Sequence, residues 1–401
     1  MKKNVYICDA VRTAHGSFYG ALKDYSSIEL GSIVIKAILK NNPFLPEMIE
    51  GVFMGEVLTA GEGQNPARHA ALGAGLPHSC QAETFNKVCA SSLAALRHAC
   101  NMIRVGDAYV MIAGGMESMS RTPYLVRRMV KRFGDETVSS LYIKSGGQAV
   151  HRTACDSMIH DGLTEPSVDG RPHMGVIADM CAAKYGISRG EQEEFALASF
   201  ARANAAHDDG YFDAWTTEVN GVRKDEGLRP PDMEKCRKLQ PAFSTGGTIT
   251  AATSSQIADG ASAILLGDEH VVGLMDARRL ARVCDFAVCS QDPSWYTTAP
   301  VTAIETLLWN QSLKVSNIDL FEINEAFAVV PLYAMRALDI PHDKVNVWGG
   351  SIAIGHPLGA SGTRIVGQLA HELRHFNKRY GIAVACNGGG EAVAVLLEAV
   401  E

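Results

Sequence analysis

The 401-residue chain lacks the signatures of several large classes of protein. Its ten cysteines include no C-x-x-C pair, and Cys284 and Cys289 have no partner pair at metal-binding spacing. This argues against a zinc site and a disulfide framework, and most of the cysteines read as core filler. No G-x-G-x-x-G follows a strand-like run and no G-x-x-x-x-G-K-[ST] occurs, so hydride transfer and P-loop chemistry lose their usual support. The charge-free stretches 239–258 and 345–363 are rich in Gly, Ser, Thr and Pro and cannot form an apolar spanning helix. The N-terminal "MKKNVYICDAVRT" has no apolar leader, and "LLEAVE" is no peroxisomal signal, so a soluble, cytoplasmic protein is expected. A net charge of −7 from interspersed acids and bases offers no basic surface for nucleic acid.

What is present, with 47% hydrophobic and 20% charged residues, suits large α/β cores. Residues 81–117 read as strand, sharp turn, helix, strand and glycine turn, the helix carrying Leu93, Leu96, Cys100 and Ile103 on one face and stopping at Gly106. Residues 345–395 repeat this grammar. "VNVWGG" reads as a strand, "GHPLGASG" turns into a helix bearing Ile365, Leu369 and Leu373, and "GIAVAC" is a strand running into "NGGGEA". Two such units suggest a duplicated fold. Residues 121–172 differ in texture, with the basic "RRMVKR" and a glycine pair at 146–147, and precede a helix whose Ser188 and Glu191 form a capping box. The expected organisation is an N-terminal half over 1–120 completed by about 252–278, an inserted loop domain over 121–251, and a C-terminal half over 279–401.

Four positions carry possible chemistry. Cys89, in "NKVCASSLAALRHA", stands at a helix start, where unpaired N–H groups and the dipole favour a thiolate; the alternative is a small core side chain. His356, hemmed by glycines in "GGSIAIGHPLGASG", is a general-base candidate or a satisfied loop histidine. Cys386 closes an apolar strand, and the glycines after it leave N–H groups free for an oxyanion. Asn324 interrupts apolar sequence in "FEINEAFAVV", to hold a water or to cap the next helix.

Together these segments resemble the thiolases. "NKVCASSLAAL" is similar to the family's nucleophile motif, "NEAFA" to its asparagine motif, "GGSIAIGHPLGASGTR" to its histidine motif and "CNGGGEA" to its second-cysteine motif, in the family's order. The resemblance implies a duplicated five-layer αβαβα core with an inserted loop domain. It also implies acyl transfer, either condensation of two acetyl-CoA or CoA-dependent thiolysis of a 3-ketoacyl-CoA. Cys89 would carry the acyl group, Cys386 would exchange the proton at carbon, and His356 would activate Cys89 and, with a water on Asn324, hold the enolate oxygen. The N–H groups of Cys89 and Gly388 would face the acyl-enzyme oxygen. Coenzyme A enters as substrate, with no prosthetic group and no metal. His173, Met174, Phe243, Ser255 and Phe327 would line the pantetheine tunnel and Arg229 the adenine end. A homodimer or homotetramer is implied.

The chain departs from the family pattern at four places, one being the segment 121–172, longer than its counterpart where the family has its tetramer-forming and substrate-covering loop. Ala90 and Ser92 replace glycines beside the nucleophile and should narrow the space at the sulfur. "TSSQ" at 253–256 stands for N-A-S-G, and Tyr296 occupies a methionine position beside the acyl group. Two other functions compete: a hydrolase using Cys89, His356 and Asn324 as a triad, which leaves Cys386 idle, and a non-catalytic acyl-CoA or lipid carrier.

Overall fold

In a computed structural model the protein is described over residues 3–126, 142–145, 148–151 and 154–400. The basic run 127–132 and the glycine pair 146–147 lie outside these residues, as does part of the 121–172 segment.

The chain begins with β1 (Val5–Thr13), α1 (Ser27–Asn41), β2 (Gly51–Gly55), α2 (Pro66–Gly73), β3 (Gln81–Phe85), α3 (Ser91–Val105) and β4 (Val110–Ser118). The helices α4 (Met174–Tyr185) and α5 (Arg189–Asp208) lie between β4 and β5 (Ala258–Asp268). The second half runs β6 (Ala281–Ser290), α6 (Ala299–Asn310), β7 (Leu320–Ile323), α7 (Val329–Leu338), α8 (Ser361–His375), β8 (Tyr380–Asn387) and β9 (Glu391–Ala399). The sheet path is β7-β8-β9-β6-β1-β5-β4-β2-β3.

Read outward from the β1–β6 seam, the halves repeat. β1–β5–β4–β2 pair antiparallel, antiparallel, parallel, and β6–β9–β8–β7 do the same. Both seam strands carry a register shift at the same point, between Ile7 and Asp9 and between Val283 and Asp285. The halves differ most between their last two strands. β8 turns into β9 through the glycines after Asn387, whereas 139 residues, 119–257, separate β4 from β5.

Burial follows from the helix periodicity. Leu93, Leu96, Cys100 and Ile103 of α3 and Ile365, Leu369 and Leu373 of α8 are all fully buried and share one core between the two parts of the sheet. Each such side chain contributes roughly 2 kcal/mol. α1 and α2 bury a second core on the outer face of the first half, and α6 and α7 a third on the second. The result is helix, sheet, helix, sheet, helix: five layers. α3 stops at Gly106, whose φ of 91° ends the helix in a left-handed turn. The Ser188–Glu191 capping box opens α5. The "VNVWGG" strand is absent. Val345 makes a single parallel bridge to Phe321, and Asn346 then adopts φ 50°, which turns the chain out of the sheet. Phe195 and Phe200 of α5 pack on Ala328 and Ile352–Ile354, so the insertion buttresses the loops that carry the site.

Candidate active site

Cys89 sits in the turn from β3 into α3. Val88 before it has φ 48°, rare for a β-branched residue, and the turn holds it there. Ser91 Oγ accepts from Lys87 N (2.8 Å) and donates to the Val88 carbonyl (2.6 Å). The residue is half-buried, but its sulfur is poorly hydrated, and burial pushes the thiol up to about 12. Its own N–H and that of Gly388 act in the opposite direction, and the Glu117 carboxylate adds to the rise. Desolvation outweighs the N–H groups here and opposes the ionisation that a helix start favours. Ser92 lies in the first turn of α3. Its Oγ accepts from Thr363 N (3.0 Å), tying the first turns of α3 and α8 together.

His356 follows Gly355, whose φ of 98° and 2.8 Å spacing from a built Cβ to Ala258 Cβ admit only glycine. The imidazole Nδ1 lies 2.5 Å from Ser361 Oγ, which in turn donates to the Pro357 carbonyl at 2.8 Å. That hydroxyl proton is committed, so Nδ1–H is the donor and Nε2 carries the free lone pair. Asn324 Nδ2 stands 3.3 Å from that Nε2. Burial, with help from Arg364 and His15, lowers His356 to about 3. Thiol and imidazole are thus both neutral at rest. Asn324 is no helix cap, since α7 starts at Val329 with Ala328 before it.

Cys386, 1% exposed, lies near the end of β8 with Cys89 and Tyr296 as neighbours. Burial and the nearby Cys89 hold its thiol well above the usual value. The turn after it is anchored by Glu165, a buried carboxylate that accepts from Gly389 N at 2.7 Å. Tyr296 is buried in the same core cluster as Cys386 and donates to the Met174 carbonyl at 3.0 Å. Sequence reasoning missed Glu165 and Glu117. Glu117 accepts from the N–H groups of Val57, Leu58 and Gly359 (3.0, 3.1 and 2.8 Å) and so joins loops of both halves; a lone acid in the apolar run "VMIAGGMES" was the available signal.

A cavity of about 320 Å³ reaches His356 and is lined by His173, Phe243, Ser255 and Phe327 among others. His173 Nδ1 accepts from Gly175 N (3.1 Å), which leaves its Nε2 edge free, and its ring stacks on Phe243. Met174 stands apart, its Cε 3.7 Å from a Cβ built on Gly388. Arg229 lines a second cavity of about 690 Å³ with Phe200, under its guanidinium at 4.6 Å. Ala251 lines both cavities.

Residues 5–270 match the thiolase N-terminal domain and residues 277–399 the thiolase C-terminal domain. The chain belongs to the thiolase family. It is 41% identical to acetyl-CoA acetyltransferase 2 of Arabidopsis thaliana, over 99% of this chain and 97% of that protein. It is 40% identical to a probable acetyl-CoA acetyltransferase of Dictyostelium discoideum, over 99% and 94%. Among solved structures, human mitochondrial 3-ketoacyl-CoA thiolase in complex with CoA superposes with a TM-score of 0.91 at 37% identity, covering 100% of this chain and 98% of that one. This thiolase is therefore an acyltransferase of the thiolase fold. Among its described residues no helix is long and apolar enough to cross a membrane.

Proposed function

We propose that this thiolase interconverts two acetyl-CoA with acetoacetyl-CoA and CoA, and cleaves 3-ketoacyl-CoA with CoA, through an acyl group on Cys89. The observation that carries the reading is a pair of neighbouring thiols, Cys386 and Cys89, with Cys89 packed on the cluster of Leu358, which together with His356 lines the cavity. In thiolysis His356 Nε2 takes the Cys89 proton as the sulfur attacks the keto carbon. The bond between that carbon and its neighbour breaks, and Cys386 protonates the departing acetyl-CoA enolate. A fresh CoA thiol then takes the acyl group, returning a proton to the site. Condensation runs the same steps backwards.

A neutral resting pair suits this order, because the proton moves only when an acyl oxygen appears for the N–H groups of Cys89 and Gly388 to hold. Asn324, through a water, and His356 would hold the enolate oxygen. CoA would enter past His173, Phe243, Ser255 and Phe327, with Met174 beside the acyl group and Arg229 toward the adenine; the wall shared through Ala251 supports that path.

The three-part division (1–120 with 252–278, 121–251, 279–401), a cytoplasmic location and a role in fatty acid metabolism belong to the same proposal. So does assembly as a homodimer or homotetramer, supported by β3, which ends the sheet path and leaves a backbone edge to pair. The test is mass analysis of the Cys89 peptide after acetyl-CoA is added. Acetylation is expected, and Cys386→Ala is expected to acetylate yet form no carbon–carbon bond. An unmodified Cys89 in folded, CoA-binding protein, or transfer of the acyl group to water, would overturn the proposal. Thiolysis rates across a 3-ketoacyl-CoA series then set the chain length.

A further inference from the structure

The amide of Asn324 is useful to His356 only in one of its two orientations. Its Nδ2 must face the Nε2 lone pair, because the flipped amide sets two acceptors, Oδ1 and Nε2, against each other. Something has to choose between them. Asn324 Oδ1 accepts from Ser351 Oγ at 2.7 Å, and Ser351 Oγ accepts from Arg364 Nη2 at 2.7 Å. Arginine can only donate, so the serine proton is driven onto Oδ1, and the chain of hydrogen bonds has one direction from Arg364 to His356. Asn324 is 1% exposed and the other two are completely buried, so water does not compete. Arg364 is itself fixed, with Nη1 3.3 Å from Gln368 Oε1 and 3.5 Å from Glu322.

We propose that Ser351, oriented by Arg364, is a positioning residue of this thiolase that locks the Asn324 amide for the enolate-forming step. Ser351 begins the short helical turn Ser351–Ile354 inside the histidine motif, yet it acts on a residue 27 positions earlier, just after β7. The inference rests on the proposed role of Asn324 in carbon–carbon bond formation.

The experiment separates the two half-reactions in wild type, Ser351→Ala, Ser351→Cys, Asn324→Ala and the Ser351→Ala/Asn324→Ala double variant. A misdirected catalytic group costs on the order of 100-fold. Ser351→Ala is expected to lower kcat of condensation by about that factor with KM unchanged, while acetylation of Cys89 by acetyl-CoA slows less than about threefold. Ser351→Cys, which fills the same space with a weak donor, is expected to fall with it. The double variant should be no slower than Asn324→Ala, because the serine acts only through the amide. Condensation by Ser351→Ala at the wild-type rate, recovery in Ser351→Cys, equal loss of both half-reactions, or a double variant slower by the product of the two single effects each overturns the proposal. If Asn324→Ala itself condenses at the wild-type rate, it is the reading of Asn324 that fails.

Discussion

Carried from one half to the other through the strand registers, the proposed catalytic residues land on residues of different chemistry. The shared bulges match Ile7 with Val283, and so Leu266 with Leu397; five residues back along β5 and β9, Ala261 matches Ala392. Their ladder partners are Met116 and Cys386, and one strand further on Gly55 matches Asn324. The central helices start at Ser91 and Ser361, which sets Cys89 on Gly359 and Asn86 on His356. In the proposed mechanism one half would lend the nucleophile, the other the base, the amide and the second thiol. Near Gly359 the site's counterpart is closed by packing: a Cβ there would lie 2.7 Å from Gly55 O and 2.8 Å from Glu56 Cα. Duplication thus explains the scaffold, and divergence at a few strand ends and helix starts explains why the proposed site has no equivalent in the other half.

Making the halves alike at the nucleophile gives the largest effect. Cys89→Gly is expected to lower thiolysis by about 10⁴–10⁶-fold, since it removes the group on which every step depends. Residual activity above that range would show that another thiol carries the acyl group. The reverse change, Gly359→Ala, meets backbone of the other half and is expected to cost about 3 kcal/mol in urea unfolding. A neutral result would mean that the two halves can part at this contact.

The carboxylates after the matched strands, Glu56 and Glu325, sharpen the comparison. Glu325 is fully engaged, taking Asn346, Ser199 and the Ile352 N–H, whereas Glu56 has only Ser27 on one oxygen and nothing on the other. Burial first, then the nearby Glu117, raises Glu56 to about 9. Between its unfolded value and about 9 the native state keeps a proton that the unfolded chain has released, so this group's contribution to stability falls as pH rises. Glu56→Gln removes that loss. Its stability relative to wild type should grow steadily as pH rises from about 5 toward 8. Parallel stability curves would place the native Glu56 in its charged form.

Much of the architecture was legible because helix periodicity reports one-sided burial, as Leu93 to Ile103 and Ile365 to Leu373 illustrate. The strand expected at 345–350 was not, because an apolar run does not reveal that Asn346 leaves the sheet after one bridge. Nor was the resting state of Cys89. A helix start is a local feature, but the burial that raises the thiol comes from residues far along the chain, such as Met158 and Leu358, which pack around Cys89. Glu117, Glu165 and Ser351 carry no motif of their own and matter through single hydrogen bonds to distant loops.

The smallest expected effect concerns the repeat itself. Asp9 and Asp285 follow the two bulges, and each accepts from the next residue's N–H at 2.9 Å and from a side-chain amide just past the following helix, Asn42 or Gln311, at 2.8 Å. The geometry is the same, but Asp9 lies in a partly buried network and the Asp285–Gln311 bond is exposed. A net hydrogen bond is worth about 1 kcal/mol where water is kept out and less where it competes. Asp9→Ala is therefore expected to destabilise by about 2 kcal/mol and Asp285→Ala by about 0.5 kcal/mol in urea titrations, neither changing the thiolysis rate. Equal losses would mean that bulge geometry, which the halves share, sets the cost; the predicted inequality would mean that hydration, which they do not share, sets it.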